Sequence, residues 1–223
     1  MSNNSLLKMT ALAAAFTVSV GPMIAAAEVS GNLAIASQYL WRGQTLLSGG
    51  TVSGGLDYNH KSGLYTGVWA SSESDKNEYD LYLGFGSEAG DFSYDLGFTS
   101  YHYTGEPGTG NGPDDLNFQE AHLALGFANF GTSAHFGVGD YGWGAGAAKN
   151  KDNYFTLSYA QEKFSALVGF YSFYDSSDNY THLDLNYEVY DGLVFTASKI
   201  IDEKTEGTWS DELQFVVSYN FSF

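Results

Sequence analysis

Apolar and polar residues alternate through most of the chain beyond residue 28. Tyr79, Leu81, Leu83 and Phe85 share one face of a run whose other face is Glu78, Asp80, Tyr82 and Gly84. Phe92, Tyr94, Leu96 and Phe98 oppose Asp91, Ser93, Asp95 and Gly97 in the same way, and Leu183, Leu185, Tyr187 and Val189 oppose His182, Asp184, Asn186 and Glu188. A period of two belongs to strands, whose successive side chains point to opposite faces. The pattern predicts twelve strands, at 31–42, 51–59, 63–72, 78–87, 91–103, 116–127, 132–141, 153–161, 164–174, 180–190, 193–201 and 209–223. The last carries Phe215, Val217, Tyr219, Phe221 and Phe223 on one side and ends on a free aromatic. Half-buried strands of a soluble sandwich alternate too, so the period alone leaves two architectures open.

The connections choose between them. Along the chain they run long, short, long, short without exception. The short ones are 60–62, 88–90, 128–131, 162–163 and Asp191-Gly192; the long ones are 43–50, 73–77, 104–115, 142–152, 175–179 and 202–208. A sandwich has no physical reason to sort its loops by parity. A bacterial outer-membrane barrel does, with tight turns on the periplasmic side and long loops outside. Strands of about 9 to 15 residues suffice to cross a bilayer at a tilt. The only prolines, Pro22, Pro107 and Pro113, avoid every predicted strand, where each would delete a ladder bond that lipid cannot replace. The expected fold is an all-β, antiparallel up-and-down transmembrane barrel of about twelve strands.

Composition sharpens this reading. Lys8 is the sole charge in residues 1–27, ahead of an apolar run at 9–20 and the small-residue site Ala25-Ala26-Ala27. That pattern predicts a cleaved signal peptide at 1–27, with the barrel occupying 28–223. The apolar core is too short for a spanning helix. Cysteine is absent, which removes disulfides, thiolate metal sites and a cysteine nucleophile. Formal charge is −17, and −18 once Lys8 leaves with the signal. So acidic a chain is unsuited to nucleic acid, which demands a Lys/Arg surface.

Gln38-Tyr39-Leu40-Trp41-Arg42-Gly43 within residues 29–45 and Gly67-Val68-Trp69 within 54–71 carry a resemblance, joined by residues 78–84 and 92–97. These stretches resemble the TorF family of porins, also described as a proteobacterial family of unknown function (Gcw_chp). The likeness spans the mature chain and is strongest in its first hundred residues. The family has Asp-Tyr before the aromatic-Arg-Gly step, where this chain has Gln38 in place of the Asp. The resemblance implies an outer-membrane channel and supplies no catalytic or binding residues.

Facing the apolar sides to lipid turns Gln38, Arg42, Asp57, Glu78, Asp80, Asp91, Asp95, Glu120, His122, Asp184, Glu188 and Glu212 inward. A two-residue Asp191-Gly192 turn would put Lys199 inside as well, sparing a lipid-facing lysine that costs about 2–4 kcal/mol near the midplane. Arg42, Asp80, Asp95, Glu120, Asp184 and Lys199 are the expected channel-lining residues. Arg42 and Lys199 would flank the seam between first and last strands and face acidic walls. The expected function is passive diffusion of small polar solutes, cationic or neutral, across the outer membrane of a Gram-negative bacterium. The alternatives are a plugged structural barrel without transport and a barrel lipid hydrolase built on outward-facing Ser100 and His102. His60, His102, His122, His135 and His182 show no metal-ligand spacing, and no cofactor or catalytic residue is expected. The expected partners are outer-membrane lipid, the solutes, and the barrel-assembly machinery acting on the strand that ends at Phe223.

Overall fold

The computed structural model describes residues 28–106, 112–142, 149–174 and 176–223. The expected signal peptide lies outside them, as do Pro107 and residues 143–148 of the glycine-rich loop. The strands are β1 (Glu28–Ala36), β2 (Tyr39–Trp41), β3 (Gln44–Leu47), β4 (Thr51–Asn59), β5 (Leu64–Ser72), β6 (Asn77–Ala89) and β7 (Phe92–Tyr103), then β8 (Phe118–Phe127), β9 (Phe130–Val138), β10 (Asn153–Gln161), β11 (Phe164–Ser172), β12 (Tyr180–Tyr190), β13 (Leu193–Glu203) and β14 (Gln214–Ser222). A single helical turn, α1 (Pro113–Leu116), precedes β8.

Every strand but β2 and β3 joins one closed antiparallel ring, in the order β1-β14-β13-β12-β11-β10-β9-β8-β7-β6-β5-β4. The expected twelve-stranded barrel is present. Strands 51–59, 153–161 and 180–190 coincide with β4, β10 and β12. Short turns collect at one end. Ala128 and Glu162 open two of them at φ 51 and φ 53, because a two-residue hairpin turn calls for positive φ to follow the strand twist.

Leu33, Leu56, Leu81, Leu83, Leu96, Leu157 and Val168 lie exposed on the outside, and Tyr58, Phe127, Phe130, Phe164, Tyr187, Tyr190 and Phe223 ring the short-turn end. An apolar band bounded by aromatics is the surface lipid requires. Leu83, 58% exposed at the middle of β6, gives a direct check. Leu83→Arg should destabilise the folded barrel by about 2–4 kcal/mol, read from urea-dependent folding into vesicles. A change under 1 kcal/mol would place this band outside the hydrocarbon.

The seam is narrow. In it β1 pairs residues 32–36 with 218–222 of β14, and Gly31 and Phe223 then exchange backbone hydrogen bonds of 2.7 and 2.9 Å. The Phe223 ring lies against Gly31, where a Cβ would strike it.

Two expectations fail, each for a physical reason. The first predicted strand, 31–42, stops at Ala36, and residues 39–47 turn back as the separate β2–β3 hairpin. Tyr39, Leu40 and Arg42 are all buried, so this hairpin lies inside the barrel. The second failure is the parity of β13. Glu188 pairs with Val194 and Tyr190 with Leu193, leaving Val189 as an extra residue on β12. A bulge inverts which side chains face in. Val194, Thr196, Ser198 and Ile200 are therefore buried inside, while Lys199 lies outside between Phe195 and Ile201. Lys199 is not a lumen residue; its four-carbon stem can carry the ammonium from the lipid face to the interface.

Candidate functional site

The lumen is organised around the tip of the hairpin. Trp41 pairs with Gln44, so Arg42 and Gly43 form the whole turn, at φ 49 and φ 81. Two positive φ values in succession fit the tight turn that a right-twisted hairpin needs. Gly43 is required on a second count: a Cβ there would sit 2.6 Å from Cβ of His182. Arg42 adopts a conformation uncommon for a long side chain, and its contacts explain why it stays.

Arg42 donates from Nη1 to Glu120 Oε1 at 2.8 Å and from Nη2 to Glu120 Oε2 at 2.6 Å. Its guanidinium carbon lies 4.4 Å from the ring centres of Trp41 and Tyr154. A forked ion pair under aromatic faces is the geometry a guanidinium fits and an ammonium does not. Tyr101 donates to the same Glu120 Oε2 at 3.2 Å. Around the ring β8 lies five strands from β1 in one direction and seven in the other. The hairpin thus spans the lumen instead of lining the seam, and the expected basic patch of Arg42 and Lys199 does not exist.

Other walls hold the hairpin as well. Tyr39 donates to Glu78 Oε2 on β6 at 2.6 Å. Gln44 donates to the Tyr180 hydroxyl on β12 at 2.6 Å, and Tyr180 donates to the Arg42 carbonyl at 2.9 Å.

Of the other expected lining residues, Asp80, Asp95, Glu120 and Asp184 are buried on the inner wall. Asp95 accepts from Tyr65 at 3.0 Å and faces His122 Nε2 at 2.5 Å. Asp184 accepts from Ser198 at 2.5 Å and contacts His182 Nδ1 at 3.0 Å, while Tyr154 contacts His182 Nε2 at 2.8 Å. Asp57 accepts from Tyr82 and, at 3.3 Å, from Asn32. Asp91 and Glu212, expected on strands, lie in connections. Among the described residues Arg42 is the only buried Lys or Arg, against Asp57, Glu78, Asp80, Asp95, Glu120 and Asp184 on the inner wall; Lys76 reaches Glu73 and the Tyr103 ring at the long-loop rim. No described group of three or more His, Cys, Asp or Glu is placed to hold a metal.

Toward the short-turn end Gly84 pairs with Tyr65 and Gly67 with Tyr82, and each glycine leaves the room that its partner's phenol ring occupies. Outside, Ser100 Oγ lies 2.9 Å from His102 Nε2. The His102 ring stacks on Tyr79 at 5.0 Å, away from the lumen.

A family profile described as "Bacterial protein of unknown function (Gcw_chp)" matches residues 23–208. The chain belongs to the Gcw_chp family. The aromatic-Arg-Gly step of Trp41, Arg42 and Gly43 is therefore the lumen turn of this Gcw_chp barrel. Among solved structures it is similar to the KdgM porin, with 11% identity over 87% of this chain and 99% of that one at a TM-score of 0.53. The KdgM porin in complex with disordered oligogalacturonate gives 9% identity, 87% and 98% coverage and a TM-score of 0.51. Outer membrane phospholipase A from Escherichia coli gives 10% identity, 86% and 91% coverage and a TM-score of 0.46. No curated protein sequence matches. The shared fold is that of an outer-membrane barrel.

Proposed function

We propose that this protein is an outer-membrane channel through which small polar solutes diffuse, cations in preference to anions, past a constriction formed by the β2–β3 hairpin. The observation that carries the reading is the lumen's charge. Its one inward guanidinium is neutralised by Glu120, so Asp57, Asp80, Asp95 and Asp184 dominate the potential along the passage. A cleft of one sign with low-dielectric walls concentrates the opposite ion.

The likeness of residues 29–45 and 54–71 to TorF-family porins supports the same reading. So does the reach of the KdgM porin fold across the chain, although oligogalacturonate belongs to that protein and says nothing of the solute here. Delivery would use the signal at 1–27, and insertion would engage the assembly machinery through the strand ending at Phe223. The reading gives catalysis no part; Ser100 and His102 face outward, where a lipid hydrolase would need them, and a phospholipid-hydrolysis assay on the folded barrel tests that alternative.

The hairpin's ties to β6, β8 and β12 favour a second reading, a barrel plugged for structural duty. One recording separates the two. In a planar bilayer under a potassium chloride gradient, a diffusion channel of this charge gives unitary currents with a reversal potential of cation-selective sign. Anion selectivity would overturn the charge argument, and complete silence would favour the plug.

A further inference from the structure

We infer that Asp80 is the centre of a binding subsite for a small protonated amine, a primary alkylammonium with N–H groups to donate. The inference deepens the cation-channel reading and rests on it. Asp80 is only 1% exposed, and its Oδ1 has no hydrogen-bond partner. No ion pair reaches it among the described residues, whereas Glu120 has Arg42 and Asp95 has His122. A buried carboxylate oxygen without a donor is costly.

The phenol donors around it are committed elsewhere. Tyr39 and Tyr103 donate to Glu78. Tyr101 donates to Glu120, and Tyr82 to Asp57. What the chain withholds, a ligand can supply.

The walls specify which ligand. Asp80 is registered against Trp69 on β5 and Tyr101 on β7, so both rings flank it on the inner face. Tyr39 of the hairpin approaches from the lumen, its ring centre 6.4 Å from that of Trp69. A carboxylate between aromatic faces suits an organic cation, which gains from the ring quadrupoles as well as the charge. The chain already uses this chemistry at Arg42, held by Glu120 between Trp41 and Tyr154. Asp80 repeats the arrangement with no cation of the chain's own. A metal ion would want more oxygen ligands than these walls offer. A quaternary ammonium would meet the rings but donate nothing to Oδ1. Glu78 stands on the long-loop side of Asp80 and extends its negative field toward that entrance, while Glu73 beyond it is paired with Lys76 at 2.7 Å.

The test uses the folded full-length barrel in detergent micelles, with intrinsic tryptophan fluorescence followed as salt is varied at constant ionic strength. Propylammonium chloride should give a saturable change. Tetramethylammonium chloride and potassium chloride should each act at least tenfold more weakly. Asp80→Asn should abolish the saturable response. Equal responses to propylammonium and tetramethylammonium, no saturation, or an unchanged Asp80→Asn titration would each overturn the subsite. The amine comparison needs no variant, so it decides even if Asp80→Asn misfolds. Because no current is measured, failure here leaves the channel reading standing, and a silent bilayer would leave a positive titration standing.

Discussion

Replacing Arg42 with alanine should open the barrel. The substitution removes the forked pair with Glu120 and the stacking of the guanidinium on Trp41 and Tyr154. Buried ion pairs of this kind cost about 3–5 kcal/mol to break from one side, and a desolvated cation–π contact adds about 2 kcal/mol. Against that loss the hairpin keeps its neutral ties at Gln44 and Tyr180 and the Tyr39 bond to Glu78. Such bonds net about 1 kcal/mol apiece, somewhat more to a charged partner. The balance then favours the undocked hairpin for much of the time. Unitary conductance in planar bilayers should rise severalfold. Arg42→Lys should fall between the two, since it keeps the charge but loses the fork and the planar stack. An Arg42→Ala channel with wild-type conductance would mean that the hairpin is not the constriction.

Glu120→Ala should be the more damaging change for stability. It leaves a guanidinium buried among Trp41, Tyr154 and Tyr171 with no counter-charge. The expected loss is about 3–5 kcal/mol in denaturant unfolding, up to a ceiling. Undocking the hairpin would let Arg42 return to water, so the measured loss cannot exceed the cost of undocking. The double variant Arg42→Ala/Glu120→Ala removes both charges, and its loss should be smaller than the sum of the single losses by at least 1 kcal/mol. Strict additivity would show that the two residues do not act as a pair. A small loss for Glu120→Ala combined with raised conductance would show the hairpin leaving its seat.

The barrel could be read from the chain because lipid enforces alternation on every strand and assembly sorts loops by end. Leu81 and Leu83 on β6 carry that signal with no help from tertiary contacts. The hairpin could not be read this way. Ile35, Tyr39 and Trp41 keep the strand's parity straight through Ser37 and Gln38, where β1 ends. The only local sign of a turn is Gly43, next to an arginine that gives no hint of positive φ. Arg42 was legible as a lumen residue, but its partner on β8 lies 78 positions along the sequence, beyond the reach of any local pattern. Lys199 was lost to one extra residue at Val189. Asp191-Gly192 looked like a two-residue turn with positive φ at both positions, yet only Gly192 takes positive φ. The bulge beside it is invisible in residue type.

The hairpin's seat has a consequence for how the molecule comes into being. Its contacts lie on β6, β8 and β12, strands made progressively later than the hairpin itself. Its stem is held at Ser37, whose N–H donates to the Val217 carbonyl at 2.9 Å while its hydroxyl accepts from Val217 N–H at 3.0 Å. Val217 belongs to β14, made after all three of these strands. Arg42 is therefore made 78 residues ahead of the carboxylate that receives it. The stem of the hairpin is thus tied down where β1 and β14 meet, so closing the wall and fixing the constriction share the same contacts.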